Sequence, residues 1–369
     1  MKPKMLVGFI KNGRAGGVDK YILECCDVVL DKYDVDILTN EYTQELKYSL
    51  AQNGVNLYCV EGLKKPFLQY KQIKKLIEKE RYEVAYLNAS TALMLPFAIA
   101  AWKCKVPVRV IHSHSSGVDI KNKWHRRLMI GLHYCSRIVL NAVSNRFFSC
   151  SELAATWMFS KKVITKQGGY TIIPNVIDLK KYEYNENQRI ELRRKYDLND
   201  EIVLGHVSNF QQVKNTPFLI DILDELNKEG MNVKLLLIGD GPDKSVLMNK
   251  AEQLGIKNKI IDVGYQKETV SFYNIMDFFL LPSLFEGFPI VSIEAQAAQV
   301  ACVFSSAITE AVRMADKTVF LSIEKGAKVW TDYIMQNYLY ERTDNKLSEN
   351  INNYDKSVLK RILLEQVKR

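Results

Sequence analysis

Short apolar runs alternate along the chain with longer stretches in which apolar residues recur at helical spacing. In the first half, the apolar runs predict strands at residues 5–10, 35–39, 84–87, 108–111, 147–150 and 171–173. The spacing between them predicts helices that include residues 18–30, 67–79 and 124–142. Because strands that alternate with helices usually build parallel sheets, the pattern predicts an α/β fold.

The alternation starts again in the second half, after a polar stretch at residues 180–200. There the apolar runs predict strands at residues 202–207, 233–238, 260–263, 278–281 and 301–304. We therefore expect two Rossmann-like domains with parallel sheets facing a cleft, at residues 1–175 and 176–345. Residues 346–369 are expected to hold an amphipathic C-terminal helix, over about 347–368.

The composition is typical of a soluble globular protein, with 47% hydrophobic and 25% charged residues in a chain of 369. The most lipid-like run, residues 92–102, is much shorter than the ~20 residues that a membrane span needs. The first ten residues lack the apolar core of a signal peptide. Seven cysteines without C-x-x-C spacing indicate reduced thiols and predict a cytoplasmic location.

Charge is divided unevenly between the two halves. Residues 1–185 carry 28 Lys and Arg against 16 Asp and Glu, a net charge of +12, whereas residues 186–369 carry 23 against 26. A basic half is typical of proteins that bind nucleic acid, anionic lipid or phosphorylated substrates. Because no zinc-finger spacing or RNA-binding aromatic motif is present, we expect no nucleic acid and favour an anionic membrane or a diphosphate-linked lipid.

The most informative segment is residues 281–295, LPSLFEGFPIVSIEA. It predicts a short strand, a Pro-Ser break, a loop that carries Glu286, and a helix that begins near Pro289 and carries Glu294. Because a helix N-terminus presents unpaired N–H groups and a partial positive charge, it suits a phosphate. One carboxylate can then reach a sugar and the other can face ribose hydroxyls, which predicts a sugar-nucleotide site.

This segment resembles the signature of family 4 of the retaining glycosyltransferases, and most closely that of bacterial capsule and exopolysaccharide transferases. The resemblance implies the two-domain GT-B fold, with the acceptor bound by the first domain and the donor by the second, and a C-terminal helix that packs back on the first domain. It implies a metal-free reaction without cofactors, and it places Glu286 in catalysis. The donor-binding residues that it implies in this segment are Gly287, Phe288, Pro289, Ile290 and Glu294.

A glycine-rich loop, residues 12–18 (NGRAGGV), follows the first predicted strand and precedes a helix. Glycine lets the backbone approach a phosphate or sugar closely. The spacing is not the G-x-G-x-x-G of dinucleotide-binding proteins, which argues against an NAD enzyme. The resemblance implies that Gly16 and Gly17 face the donor diphosphate, and a plain turn is the alternative.

Two histidines, His112 and His114, lie in a Ser-rich loop where the predicted strand at residues 108–111 ends. Ligands of α/β proteins bind at this end of a parallel sheet. The resemblance implies that His112 contacts the transferred sugar near the reacting carbon, and His114 is expected to meet the acceptor. Two histidines at this spacing also suit a metal, but no third ligand with convincing spacing is present, so we expect no metal.

The second domain opens with GHVSNFQQVKN, at residues 205–215. The family usually has an arginine and a lysine here that neutralise the leaving diphosphate in place of a metal. Lys214 matches the lysine, whereas Asn209 stands where the arginine is usual. Gly264 lies in the turn whose backbone is implied to contact the nucleobase. Val176 and Gln299 also replace glycines that the family commonly has.

Other clusters of charge have simpler explanations. Asp34 and Asp36 fit the D-x-D motif of the other glycosyltransferase fold, but strand alternation would place both on one exposed face, so we expect no metal there. Two basic faces are candidates for a membrane surface, although a solvated face explains each one equally well. They are residues 121–127, at the start of a helix, and Lys71, Lys74, Lys75 and Lys79.

The sequence therefore predicts a retaining, metal-independent hexosyltransferase that uses a nucleotide sugar, expected to be a UDP-sugar. The expected acceptor is a glycan or a polyprenyl-diphosphate-linked oligosaccharide of a bacterial surface polysaccharide. The enzyme is expected in the cytoplasm, with peripheral binding to the inner face of the plasma membrane. The alternatives are a weak or inactive sugar-nucleotide-binding protein, suggested by Asn209, and a UDP-sugar epimerase of the same fold. A basic nucleic-acid-binding protein is a further rival.

Overall fold

The computed structural model describes residues 2–11, 17–118, 120 and 122–367. The chain divides into two compact units, one formed by Met1–Val176 with Lys356–Arg369 and the other by Ile177–Asp355. Each unit contains its own sheet, and all recorded strand pairs within the sheets are parallel. Within the described ranges, no helix combines the length and hydropathy that crossing a bilayer requires.

The first unit contains a seven-stranded sheet in the order β3-β2-β1-β4-β5-β6-β7. Successive residues of β1 enter different apolar cores, because side chains alternate between the two faces of a strand. The strands are β1 (Lys4–Ile10), β2 (Asp34–Thr39), β3 (Asn56–Cys59), β4 (Val84–Ala89), β5 (Val108–Ser113), β6 (Arg146–Ser149) and β7 (Thr171–Ile172). The helices are α1 (Gly17–Val29), α2 (Gln44–Gln52), α3 (Pro66–Glu80), α4 (Leu95–Lys103), α5 (Lys123–Val143), α6 (Glu152–Met158) and α7 (Lys161–Thr165).

The second unit contains a six-stranded sheet in the order β10-β9-β8-β11-β12-β13. Its strands are β8 (Ile202–Val207), β9 (Val233–Ile238), β10 (Ile260–Gly264), β11 (Phe278–Leu281), β12 (Ala301–Ser305) and β13 (Thr318–Leu321). Its helices are α8 (Glu186–Lys195), α9 (Pro217–Lys228), α10 (Lys244–Gln253), α11 (Val270–Ile275), α12 (Ile290–Ala297) and α13 (Ala327–Asn337).

Both sheets change direction at a central pair of strands. In the first unit the chain runs outward from β1 to one edge of the sheet and from β4 to the other edge. In the second unit it runs outward from β8 to one edge and from β11 to the other. Loops after such a pair diverge and leave a crevice at the carboxyl ends of the strands, where open α/β sheets bind ligands. The crevice between the β8 and β11 loops therefore directs attention to the residues that follow those two strands.

The C-terminal helix begins later than the pattern predicts, because Glu349–Tyr354 forms a 3-10 helix and the α-helix spans Lys356–Gln366. Its Leu359 and Leu363 are buried in one core of the first unit. Lys356 forms ion pairs with Glu24, at 3.0 Å, and with Asp27 on α1. The end of the chain thus belongs structurally to the unit that holds its beginning.

The expectation that both carboxylates of the D-x-D sequence are exposed is wrong for Asp36. Its side chain is buried and accepts hydrogen bonds from Tyr82 Oη at 2.5 Å and from Asn56 Nδ2 at 2.8 Å. The reason is that Asp36 is in register with Leu6 of β1, so its side chain lies on the face of the sheet whose core includes Ile77 and Tyr82. Asp36 has a structural role in joining β2 to β3 and to Tyr82.

Gln299 lies just after the C-terminus of α12 in the left-handed region, with φ of +56°. Glycine is favoured there because a Cβ atom is strained at positive φ. We expect Gln299→Gly to raise the free energy of unfolding of the second unit by about 1 kcal/mol. Thermal unfolding would measure the gain, and Gln299→Ala, which keeps the Cβ atom, is the control that should show none.

Candidate active site

Lys214 and Glu286 form a hydrogen-bonded ion pair at the switch point of the second sheet. Lys214 ends the 3-10 turn Gln212–Lys214 after β8, and Glu286 lies in the loop after β11. The Nζ and Oε1 atoms are 2.6 Å apart, and the side chains are only 17% and 12% exposed. The backbone N–H of Leu284 donates to the Val213 carbonyl at 2.8 Å and ties the two loops together. A cation and a carboxylate thus share one partly desolvated position.

Helix α12 begins directly behind this pair. Pro289 is its N-cap residue and Ile290 its first helical residue, one position after the predicted start. Ser292 Oγ donates to the Pro289 carbonyl at 2.6 Å, and Phe288 stacks on Tyr354 with ring centroids 5.0 Å apart. Gly287 is buried, as are the three residues that follow it. These contacts hold the helix N-terminus, with its unpaired N–H groups, in place for an anion.

Glu294 lies in the second turn of α12 and is only 2% exposed. Its Oε2 atom accepts a hydrogen bond of 2.7 Å from the Tyr273 hydroxyl of α11. A buried carboxylate needs such donors, because removing its charge from water is costly. Tyr273 was not identified from the sequence, since a single tyrosine within an apolar helix carries no local signal of its partner.

His206, one residue before the end of β8, was also not identified from the sequence. Its Nδ1 donates to the Leu280 carbonyl of β11 at 2.8 Å, so its Nε2 accepts from the Ser208 hydroxyl, also at 2.8 Å. Burial lowers the pKa of His206 to about 4, and the nearby Lys214 cation contributes to the shift. A neutral imidazole therefore joins the two switch-point strands beneath the ion pair.

The loops after β8 and β9 approach each other so closely that glycine is required. A Cβ atom on Gly239 would lie 1.8 Å from the Ser208 carbonyl oxygen, and one on Gly241 would lie 2.7 Å from that of Phe210. The Gly239 N–H donates to the carbonyl of Gly264, the last residue of β10, at 2.8 Å. The backbone at Gly264 is thereby tied to the loop that follows β9.

Asn209 follows Ser208 in the loop after β8 and is half-buried. Its side-chain amide has no hydrogen-bond partner among the residues that the structure describes. The position that usually holds an arginine thus has an uncharged donor on the same loop as Lys214. The described residues contain no group of three or more His, Cys, Asp or Glu side chains placed to hold a metal ion.

In the first unit, His112 is completely buried within β5. Its Nδ1 is 2.9 Å from the Tyr86 hydroxyl, which is 3.0 Å from the hydroxyl of Tyr21. Burial and the neighbouring His114 lower the pKa of His112 well below its ordinary value. Because the imidazole has no exposed surface, it can contact a substrate only after a neighbour moves.

His114 lies just after the end of β5 and is half-buried. Its Nε2 donates to the Asn88 side-chain oxygen on β4 at 2.8 Å, and its ring lies 4.0 Å from that of His112. Burial lowers the pKa of His114 to about 3, so the ring is neutral. Of the two histidines, His114 is the one with surface available to a substrate.

Gly17 is the first residue of α1 and is exposed, so it lies directly after the glycine-rich loop. Gly16 lies outside the described residues. The predicted site residues that the structure describes therefore lie near the carboxyl ends of parallel strands in each unit, β1 and β5 in the first and β8, β10 and β11 in the second.

Comparison with known proteins identifies the family of both halves. Residues 15–181 match the family described as Glycosyltransferase Family 4, and residues 188–354 match Glycosyl transferases group 1. The chain is 30% identical over 276 residues to the putative glycosyltransferase EpsF of Bacillus subtilis strain 168. The aligned residues cover 74% of this chain and 71% of EpsF. It is 22% identical over 293 residues to the UDP-Gal:alpha-D-GlcNAc-diphosphoundecaprenol alpha-1,3-galactosyltransferase of Escherichia coli. That match covers 75% of this chain and 72% of the E. coli enzyme.

Among solved structures, HepE of Anabaena in complex with UDP and glucose aligns over 99% of both chains, with a TM-score of 0.80 and 17% identity. At that identity the likeness concerns the fold, and it confirms the predicted GT-B architecture of two Rossmann-like units. The predicted family is confirmed by the two domain matches and by EpsF. The chain belongs to the glycosyltransferases that combine a Family 4 first half with a group 1 second half and have the GT-B fold.

Proposed function

We propose that this glycosyltransferase is a retaining, metal-independent hexosyltransferase that uses a UDP-sugar. The observation that carries the proposal is the Lys214–Glu286 pair in front of the α12 N-terminus, because a cation and a helix end suit a diphosphate and a carboxylate suits sugar hydroxyls. The names of the relatives support the choice of substrates. The E. coli enzyme is named for UDP-Gal and a diphosphoundecaprenol-linked acceptor, and HepE was solved with UDP and glucose.

In the proposed donor complex, the diphosphate takes the place of Glu286 beside Lys214 and faces the N–H groups at the start of α12. Glu286 then turns to the hydroxyls of the sugar, and Glu294 accepts hydrogen bonds from the ribose. The backbone at residues 287–290 lies along the donor, and the backbone at Gly264 contacts the base. Asn209 donates a hydrogen bond to the donor without adding charge.

In the proposed reaction, the acceptor oxygen bonds to the anomeric carbon on the face from which the diphosphate leaves. The bond from that carbon to the diphosphate oxygen breaks, and the acceptor proton passes to the departing diphosphate. No carboxylate nucleophile of the glycosidase type takes part. Lys214 and the α12 N-terminus stabilise the charge that develops on the diphosphate, which is the task that a metal performs in other transferases.

We propose that the first unit binds the acceptor, a glycan or a polyprenyl-diphosphate-linked oligosaccharide. Because His112 is sealed within the sheet, its proposed contact with the transferred sugar requires a rearrangement, whereas His114 can meet the sugar or the acceptor directly. Gly16 and Gly17 are proposed to face the donor diphosphate. This role suits synthesis of a bacterial surface polysaccharide at the cytoplasmic side of the plasma membrane.

The proposal is tested by incubating the protein with a panel of UDP- and GDP-sugars and an acceptor, with and without a chelator. We expect release of UDP that the chelator does not change, and a product with the anomeric configuration of the donor by NMR. A product of opposite configuration would exclude retention, and loss of turnover with the chelator would exclude metal independence.

Replacement of Glu294 tests the donor-binding assignment by itself. We expect Glu294→Ala to weaken UDP binding about tenfold to a hundredfold, because the ribose hydroxyls and Tyr273 lose a charged acceptor. Calorimetric titration with UDP measures the change. Tyr273→Phe is the matched control: it removes only the internal donor and should weaken UDP binding far less. Unchanged affinity in Glu294→Ala would refute the assignment.

A second candidate, a sugar-nucleotide-binding protein with little turnover, is favoured by one observation, the amide at Asn209. If the missing cation limits the reaction, Asn209→Arg should raise the rate of sugar transfer without a large change in UDP affinity. Tight UDP binding without transfer by either protein, across the donor panel, would favour the binding function.

A further inference from the structure

Helix α5 presents an apolar surface that nothing in the described structure covers. Its 21 residues span about 30 Å, and only His133, Leu140 and Val143 are buried. Five large side chains on the opposite side are exposed. They are Trp124 (79%), Leu128 (62%), Leu132 (46%), Ile138 (71%) and Val139 (41%).

These five residues, which we call the α5 stripe, share one face of the helix. At 3.6 residues per turn, their positions fall within an arc of roughly 120°. Gly131, Cys135 and Ala142, which are also exposed, lie within the same arc. A continuous apolar face of this length is unusual on the surface of a monomeric protein, and such faces mark contacts with a partner or a membrane.

The charge along α5 identifies the kind of partner. The helix contains no Asp or Glu. Lys123 and Arg127 flank the α5 stripe, whereas Arg126 and Arg137 lie on the opposite side of the helix, where Arg137 donates to two backbone carbonyls of α6. Arg127 lies over the ring of Trp124, with 5.6 Å between guanidinium and ring centroid. An aromatic ring beside a guanidinium at the end of an apolar face is the pattern of helices that lie in the interface of an anionic bilayer.

We propose that α5 docks the protein on an anionic phospholipid membrane, with the α5 stripe inserted among the lipids and the flanking cations against the headgroups. Because α5 belongs to the first unit, docking would place a lipid-linked acceptor near the unit that is proposed to bind it. The inference goes beyond the proposed chemistry, because it depends on no residue of the donor site.

A second copy of the chain is the less favoured occupant. A two-fold interface through the α5 stripe would bring the same surface of each copy together. Lys123 and Arg127 beside the stripe would then find no carboxylate on either helix to neutralise them. An anionic bilayer satisfies both the apolar face and the charges.

The other basic face suggested by the sequence, on α3, is less suited to a membrane. Lys74 pairs with Glu78 at 3.3 Å, and Lys79 pairs with Glu80 at 3.0 Å, so part of its charge is neutralised within the helix. Its exposed apolar residues, Phe67 and Leu68, are confined to the first turn. Lys71 and Lys75 on this face therefore provide a control of equal charge.

The test is cosedimentation of the full chain with vesicles of phosphatidylcholine, alone or mixed in equal parts with phosphatidylglycerol. We expect binding to the mixed vesicles that weakens as salt is added. Lys123→Gln with Arg127→Gln should weaken it about 25-fold, from about fivefold for each cation. Lys71→Gln with Lys75→Gln removes the same charge from α3 and should have a much smaller effect.

A second pair of variants tests the apolar face. Leu128→Glu with Ile138→Glu should abolish sedimentation, whereas Leu339→Glu, at an even more exposed apolar residue of the second unit, should not. UDP titration of each variant establishes that the donor site is intact, so failure of docking and failure of the proposed function are distinguishable. Equal loss in the α3 and α5 charge variants, unchanged sedimentation of the stripe variant, or a stripe-dependent dimer in light scattering would overturn the proposal.

Discussion

Replacing Lys214 with methionine is expected to reduce the rate of sugar transfer by about a hundredfold to a thousandfold. Methionine preserves much of the side-chain volume but removes the cation that is proposed to stabilise the departing diphosphate. The effect should be large because the position is partly desolvated, with the Lys214 side chain 17% exposed, and because Asn209 adds no second charge. Turnover and UDP affinity should be measured together, since the cation is proposed to contact both the donor and the transition state.

Two further variants separate catalysis from stability. Lys214→Met leaves Glu286 without its 2.6 Å partner and is expected to lower the thermal midpoint. Adding Glu286→Gln should restore much of the midpoint without restoring turnover. Lys244→Met is the matched control, because Lys244 pairs with Asp262 at 2.8 Å and with similar exposure in the same unit. A Lys214→Met enzyme with wild-type turnover would remove the lysine from the mechanism.

Acid is expected to destabilise the second unit well before its carboxylates are protonated. Burial lowers the pKa of His206 to about 4, below the ~6.5 of an exposed histidine. The unfolded state therefore binds a proton at His206 more readily than the folded state does. The stability that neutral His206 provides is complete above about pH 6.5, and it is lost as pH falls toward 4. At pH 5 the loss from this residue is about 2 kcal/mol.

Hydrogen–deuterium exchange of β8 peptides at pH 7 and pH 5, corrected for the intrinsic rate, measures this loss within the second unit. His206→Asn is the informative variant, because its amide can donate to the Leu280 carbonyl as Nδ1 does but does not titrate. It should reduce the pH dependence by about 2 kcal/mol. An identical pH dependence in the variant would show that His206 does not govern the acid response.

The apolar pattern predicted the central strands well, because strands that are buried on both faces form continuous apolar runs. It predicted neither β3 nor β13, which are four-residue strands at sheet edges whose side chains are partly exposed. An edge strand needs fewer apolar residues, so its sequence resembles that of a loop. The pattern also predicted a single helix over about residues 347–368, where the structure has the 3-10 helix Glu349–Tyr354 followed by an α-helix.

The local sequence by itself determined the order of strand, loop and helix around Glu286 and Glu294, and the resemblance of this segment to a family signature implied the family and the GT-B fold. The order of the elements follows from short-range preferences, such as proline at the start of a helix and glycine where loops approach closely. Only the tertiary structure decided the partners: Lys214 with Glu286, Tyr273 with Glu294, His206 with Leu280. It also decided that His112 is buried, Asp36 is structural and the apolar face of α5 is exposed. Such contacts join residues that are distant in the chain, and they depend on how the elements pack, which local spacing does not specify.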